Sequence, residues 1–153
     1  MSSRKVLILY YSGSGNTKKM AKAIAEAMKS STMNVTIEDT GKFDISSLPN
    51  FDSIVLGSPT YFSNVAWQVK KVIDESIVHY DGGKLKGKVA GIFTSAGTSS
   101  NGKDCLKMLD VALGYHHGMK VVQGIIRVDG EGDKEDEKRC QEYGKKLVRE
   151  IEK

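Results

Sequence analysis

Two cysteines and two prolines in 153 residues exclude a disulfide framework and a proline-rich linker. Long apolar runs are also missing. None approaches the ~18 residues that a membrane-spanning helix needs, so no insertion into a bilayer is expected. The first apolar run ends in Tyr10-Tyr11-Ser12-Gly13 and not in a small-residue cleavage site. No leader peptide is expected from that, and the expected compartment is cytoplasmic. An excess of one charge is lacking too: 23 Lys and Arg are interspersed with 19 Asp and Glu, for a net charge of +4. Without a basic block of five or more, a nucleic-acid partner is not expected. The densest cluster, Glu131 to Arg139, is mixed and mainly acidic, and reads as a solvated surface. No G-x-S-x-G elbow supports hydrolase chemistry, and no His, Cys and carboxylate grouping has metal-ligand spacing.

What is present alternates. Val6-Leu7-Ile8-Leu9-Tyr10-Tyr11 is a continuous apolar run, which fits a strand buried on both faces. An amphipathic helix follows over about residues 16–29, with Met20, Ala21, Ile24 and Met28 as its stripe. Further strands read at Val35–Glu38, Ser53–Gly57, Val89–Phe93 and Val121–Ile126. Helices are marked by Val65, Val69, Val72 and Ile73, by Cys105, Leu106, Leu109, Ala112 and Leu113, and by Cys140, Tyr143, Leu147, Val148 and Ile151. Asp44 to Phe51 holds Pro49 and allows one helical turn at most. Five strands alternating with helices predict a single α/β domain over residues 1–153. Its parallel sheet, covered on both faces to give three doubly wound layers, takes the order 2-1-3-4-5. Ligands of such sheets bind at the carboxyl ends of the strands, at the switch point. The loops after strands one, three and four are therefore the places to look.

The loop after strand one is Tyr11-Ser12-Gly13-Ser14-Gly15-Asn16-Thr17. It joins a buried strand to a helix start, and offers three hydroxyls, one amide side chain and two glycines. With the free N–H groups of the helix start, these make a phosphate cradle of neutral donors. Lys18 stands where a Walker A loop or a dinucleotide fingerprint would need glycine, so neither motif is present. A phospho-receiver domain would need carboxylates where Tyr and Ser stand. Pro59-Thr60-Tyr61-Phe62-Ser63-Asn64 puts two large aromatics in a loop, which stacking on a flat ring would explain. Folding back onto the core is the alternative.

These residues resemble the flavodoxin family, whose signature is an aromatic residue followed by [ST]-x-[ST]-G-x-T at a helix start. Tyr11, Ser12, Ser14, Gly15, Asn16 and Thr17 match it position by position. Phe51 to Tyr61 and Thr94-Ser95-Ala96-Gly97-Thr98 are similar to the family's third and fourth loops, and the likeness runs from Arg4 to Lys153. The resemblance implies a flavodoxin-like fold and non-covalent FMN. Its phosphate would lie on Ser12, Ser14, Gly15, Asn16 and Thr17. Its ring would lie between Pro59, Thr60, Tyr61, Phe62 and Asn64 on one side and Ser95, Ala96, Gly97 and Thr98 on the other. It implies a flavodoxin-type electron carrier handing electrons to redox partner proteins.

Two features pull towards a second reading. Loops three and four hold no carboxylate, and loop three has no glycine to take positive φ, leaving Asn64 as the residue suited to it. Pro59 to Asn64, Phe93 to Thr98 and His116-His117-Gly118-Met119 are also similar to the tryptophan-repressor-binding-protein-like NAD(P)H:quinone oxidoreductases. In that reading His117 is a polar group over the flavin, or a proton donor to a quinone. Otherwise it closes a helix ahead of Gly118. A third reading, a non-redox module that kept the fold, sits badly with an intact phosphate loop. Trp67 lies opposite its helix's apolar stripe, which suggests a partner or homo-oligomer face; an isolated surface aromatic is the alternative. Cys105 and Cys140 fall on apolar stripes and read as inert thiols. His79 and Tyr80 read as surface.

Overall fold

The computed structural model describes residues 3–30 and 32–153. The expectation about the chain's opening involves Met1 and Ser2 and lies outside these residues. The elements in chain order are β1 (Arg4–Tyr10), α1 (Asn16–Met28), β2 (Met33–Asp39), β3 (Ser53–Tyr61), β4 (Asn64–Val65) and α2 (Trp67–Glu75). Then come β5 (Val89–Ala96), α3 (Ser99–Asp110), β6 (Lys120–Val121), β7 (Ile125–Val128) and α4 (Asp133–Glu152). The Pro49 segment is a short 3-10 helix, Ile45–Asn50.

β1 is the centre of the molecule, and every residue from Val6 to Tyr10 is buried. Val6, Ile8 and Tyr10 enter the core under α1 and α4. Leu7 and Leu9 enter the core under α2 and α3. Two buried faces are why this strand reads as one unbroken apolar run. Each fully buried Leu or Ile here stabilises by about 2 kcal/mol over leaving it in water. In α1 the residues facing the core are Thr17, Met20, Ala21, Ile24, Ala25 and Met28, at helical spacing.

The sheet runs β2-β1-β3-β5, all parallel, which meets the expected order through its first four positions. The fifth position differs. The expected strand over Val121–Ile126 is two short pieces, β6 and β7, both parallel to β5. The antiparallel β4 on β3 brings the described strands to seven. The break has a visible cause. Tyr143 of α4 puts its hydroxyl into the gap, where it accepts from Ile92 N (3.0 Å) and donates to Val122 O (2.9 Å). A side chain thus replaces a missing backbone rung. Burial pushes the Tyr143 phenol well above its ordinary value, so it stays neutral there.

Two surface readings are corrected by the fold. The Glu131–Arg139 cluster is not simply solvated: Asp136 is 2% exposed and pairs at 3.1 Å with Arg127, itself buried. Arg127 also meets Asp133 at 2.7 Å, and Arg139 bridges Glu131. The cationic partner arrives from β7, outside the cluster, so the sequence window did not contain it. His79 is buried as well, with Nε2 2.8 Å from Ile45 O, because the 3-10 turn of Ser76–His79 tucks it under Ile45–Asn50. Tyr80 is half-exposed. No helix among the described residues is long and apolar enough to cross a membrane.

Candidate functional site

β1 has β2 on one side and β3 on the other, so the chain leaves β1 and β3 in opposite directions. The crevice this opens at their carboxyl ends gathers the loops after β1, β3 and β5. The loop after β7 joins them, since Asp129 N donates to Ala96 O (2.9 Å).

The first loop is organised by Ser12. Its Oγ accepts from Gly15 N (3.1 Å) and Lys18 N (3.2 Å), closing the loop on itself. Gly15 precedes α1 with φ 104°, a left-handed conformation that costs any other residue strain. A Cβ at Gly13 would run into the Tyr61 hydroxyl, so the loop lies tight against the end of β3. With the loop set this way, the amides of Ser14, Asn16 and Thr17 make no hydrogen bond among the described residues. No acidic side chain occupies the first turn of α1. The Ser14 hydroxyl is also unbonded. The loop thus presents unpartnered N–H donors, free of any acidic side chain, at the positive end of a helix.

Thr17 and Ser95, 78 residues apart, are brought together by the fold. Their hydroxyls lie 2.8 Å apart, both buried. One proton is used between them, and the other has no acceptor among the described residues. The sequence reading assigned Thr17 to phosphate and Ser95 to the ring edge, and missed that they touch. No local signal could have shown it.

The third loop is a two-residue hairpin in which Tyr61 pairs with Asn64. Phe62 (φ 52°) and Ser63 (φ 62°) both take the left-handed conformation. This corrects the expectation that Asn64 would be the residue to do so. Asn64 instead accepts from Val65 N through its side chain (2.8 Å). A two-residue turn between antiparallel strands demands positive φ at both positions, a strained choice for Phe and Ser. The aromatics do not fold back: Tyr61 is 45% exposed and Phe62 fully so. Pro59 and Thr60 serve as bracing. Ser58 Oγ donates to Pro59 O (2.7 Å) and accepts from Ala66 N (2.9 Å), and Thr60 Oγ1 lies 2.6 Å from Thr94 Oγ1.

In the fourth loop Ala96 is buried, while Gly97 and Thr98 are exposed. Thr98 caps α3 by accepting from Asn101 N (3.2 Å). A Cβ on Gly97 would lie 3.8 Å from Asp129 Oδ2. Loops three and four lack carboxylates, yet the site does not, because Asp129 enters from the end of β7. Sequence reasoning missed it by searching only those loops.

His117 is not brought to this crevice. It follows the π turn Val111–His116 at the far end of α3, beside Gly118, whose carbonyl accepts from Gly87 ahead of β5. That is the opposite end of the sheet. There His117 Nε2 lies 2.8 Å from Ser76 Oγ, and burial, with His79 and His116 near, holds its pKa below the ordinary value. The expectation of a group over the ring is corrected for this chain on its own. Cys105 and Cys140 are fully buried, and burial pushes both thiols up, which keeps them protonated and unreactive.

Comparison with known proteins agrees with this geometry. Residues 7–115 match the flavodoxin domain family. The chain is 32% identical to an NAD(P)H dehydrogenase (quinone) of Rhizobium rhizogenes, over 94% of this chain and 82% of that protein. Its fold is similar to a flavodoxin, WrbA-like protein from Agrobacterium tumefaciens, with TM-score 0.84, 25% identity and 98% of each chain covered. It is also similar to two-electron reduced Megasphaera elsdenii flavodoxin, with TM-score 0.75 and 27% identity, over 94% of this chain and 98% of that one. The chain belongs to the flavodoxin family. FMN is the cofactor of that family, and a loop with unpartnered N–H donors and no carboxylate fits its phosphate, a strong acceptor. This is an FMN-binding redox protein.

Proposed function

We propose that the chain holds FMN at the carboxyl end of its sheet and serves as an electron carrier between redox partners. The observation that carries this reading is the row of unpartnered N–H groups at Ser14, Asn16 and Thr17. They would take the phosphate, with the Ser14 hydroxyl and the spare proton of the Thr17–Ser95 pair. Tyr61 and Phe62 would flank the ring, Asn64 would hold the hairpin, and Gly97 with Thr98 would edge the ring. Bound FMN supplies one- and two-electron redox chemistry, and the chain's task is to bind it, orient it and set the charge around it. Asp129, beside Gly97, brings a carboxylate to that task. Its charge would disfavour a negative charge developing on the ring. A hairpin of only two residues leaves the site open, as suits exchange of electrons across a protein contact.

The second reading is a two-electron NAD(P)H:quinone oxidoreductase, with NAD(P)H and a quinone as partners. It is favoured by the 32% identity to the Rhizobium rhizogenes enzyme. Trp67, 69% exposed at the start of α2, would then serve a homo-oligomer contact. Both readings take the protein to be one cytoplasmic domain. Anaerobic stepwise reduction of the FMN-loaded protein separates them. Two resolved one-electron steps in the visible spectrum support the carrier. A single two-electron step, with NADH or NADPH oxidised in the presence of a benzoquinone, supports the enzyme.

A further inference from the structure

Where the strands begin, across the sheet from the flavin loops, lies a cleft of about 710 Å³. The eight residues of β5, at ~3.3 Å each, separate the two ends by about 25 Å. Six cations line the cleft: Arg4, Lys86, Lys88, Lys120, Lys146 and Lys153. Among the described side chains that line it, Asp52 and Glu150 are the acidic ones. Glu150 pairs with Lys153 at 2.8 Å, and Asp52 accepts from the Lys5 amide at 2.8 Å.

Among the described residues, the other five cations have no carboxylate within 4.0 Å. Two of them are nonetheless fixed in place, by neutral groups. Lys88 Nζ donates to Pro49 O (2.7 Å) and Phe51 O (2.6 Å), and Arg4 Nη1 donates to Ile151 O (3.4 Å). Carbonyls hold these side chains still without cancelling their charge. Partial burial pulls the Lys88 ammonium below its ordinary value, with Asp52 acting against this, so a nearby anion would relieve it. Between the charges the wall is apolar, made by Val89, Val121, Val122 and Ile151.

We propose that this cleft binds a nucleoside diphosphate or a similar organic polyphosphate. Its phosphates would meet Arg4, Lys88, Lys120 and Lys146, and its base would lie on the valine and isoleucine wall. The cleft's size is that of small-molecule sites, and a guanidinium beside ammonium groups suits phosphate oxygens. The mixed wall selects against a bare inorganic ion. About 25 Å from the flavin loops, the occupant does not share electrons with the ring, so the site is separate from the redox chemistry and does not depend on it.

The test is a titration of the isotope-labelled, FMN-loaded protein with ADP, and separately with pyrophosphate and adenosine, followed by amide NMR shifts. Saturable ADP-induced shifts are expected at Gly87, Lys88, Val121 and Val122, at least ten-fold tighter than with pyrophosphate or adenosine, and weakening with added salt. Lys120→Gln with Lys146→Gln, both exposed, should weaken ADP at least ten-fold while leaving FMN binding unchanged. Shifts confined to Ser12–Thr17, pyrophosphate binding as tightly as ADP, an unchanged affinity in the double variant, or no saturation would each overturn the proposal. Because the two ends report through different amides, failure here is distinguishable from failure of the FMN site.

Discussion

The two helices on one face, α1 and α4, begin at the same end of the sheet and treat their positive ends in opposite ways. α4 supplies its own anions: Asp133, Glu135 and Asp136 stand in its first turn, and Arg127 is locked between two of them. α1 has no acid in its first turn, and its Asn16 and Thr17 amides, with that of Ser14 just ahead of it, have no partner among the described residues. The helices are close enough for Lys19 of α1 to reach Asp133 of α4 at 3.4 Å. The same physics is thus satisfied internally in one place and left for a ligand in the other. Polar groups that the chain pairs for itself mark structure. Polar groups that it positions and leaves unpaired mark binding.

That contrast is broken most severely at Asp136. Asp136→Ala leaves a buried guanidinium half paired, which should cost about 3 kcal/mol in urea unfolding and leave FMN affinity unchanged. A fall in FMN affinity without loss of stability would make α4 part of the site. Tyr143→Phe removes the hydroxyl that fills the strand break and strands Ile92 N. About 2 kcal/mol is expected in the same assay, again with FMN binding retained. Phe62→Gly relieves a left-handed phenylalanine and should stabilise by roughly 0.5 to 1 kcal/mol. Its effect should appear instead in electron exchange with a partner. The smallest effect is acid sensitivity at Asp133. The hydrogen bond from Arg127, then that from Lys19, holds its carboxyl below the usual 3.8, so these contacts favour the ionised form. Their contribution is present above that ordinary value and is lost as pH falls through the lower, folded-state one. Asp133→Asn should flatten that part of an acid-unfolding curve through a small loss of stability at neutral pH, with stability in strong acid unchanged.

Much of the fold was legible because β1 and α1 are unambiguous: a strand buried on both faces has no polar period, and Met20, Ile24 and Met28 recur at helical spacing. The donor-bearing loop ahead of α1 was equally legible, since its residues are contiguous in sequence. What escaped were the long-range facts. The break in the fifth strand depends on a tyrosine more than fifteen residues downstream. The Thr17–Ser95 contact and the arrival of Asp129 depend on which loops the sheet brings side by side. His117 was placed at the site by likeness of wording, whereas α3 runs away from the carboxyl ends and delivers it to the other end. Positive φ at Phe62 and Ser63 was hidden because the two-residue turn, and not residue preference, imposes it.

The central claim is that the opening of α1 is a phosphate site. The direct test is FMN titration of the apoprotein by fluorescence quenching, for the wild type and for Ser14→Ala with Thr17→Val. Losing two hydroxyls that meet a charged group predicts an affinity lower by roughly 100-fold, with the circular dichroism of a folded α/β protein retained. An affinity equal to that of the wild type, in a variant that is folded, would contradict the account.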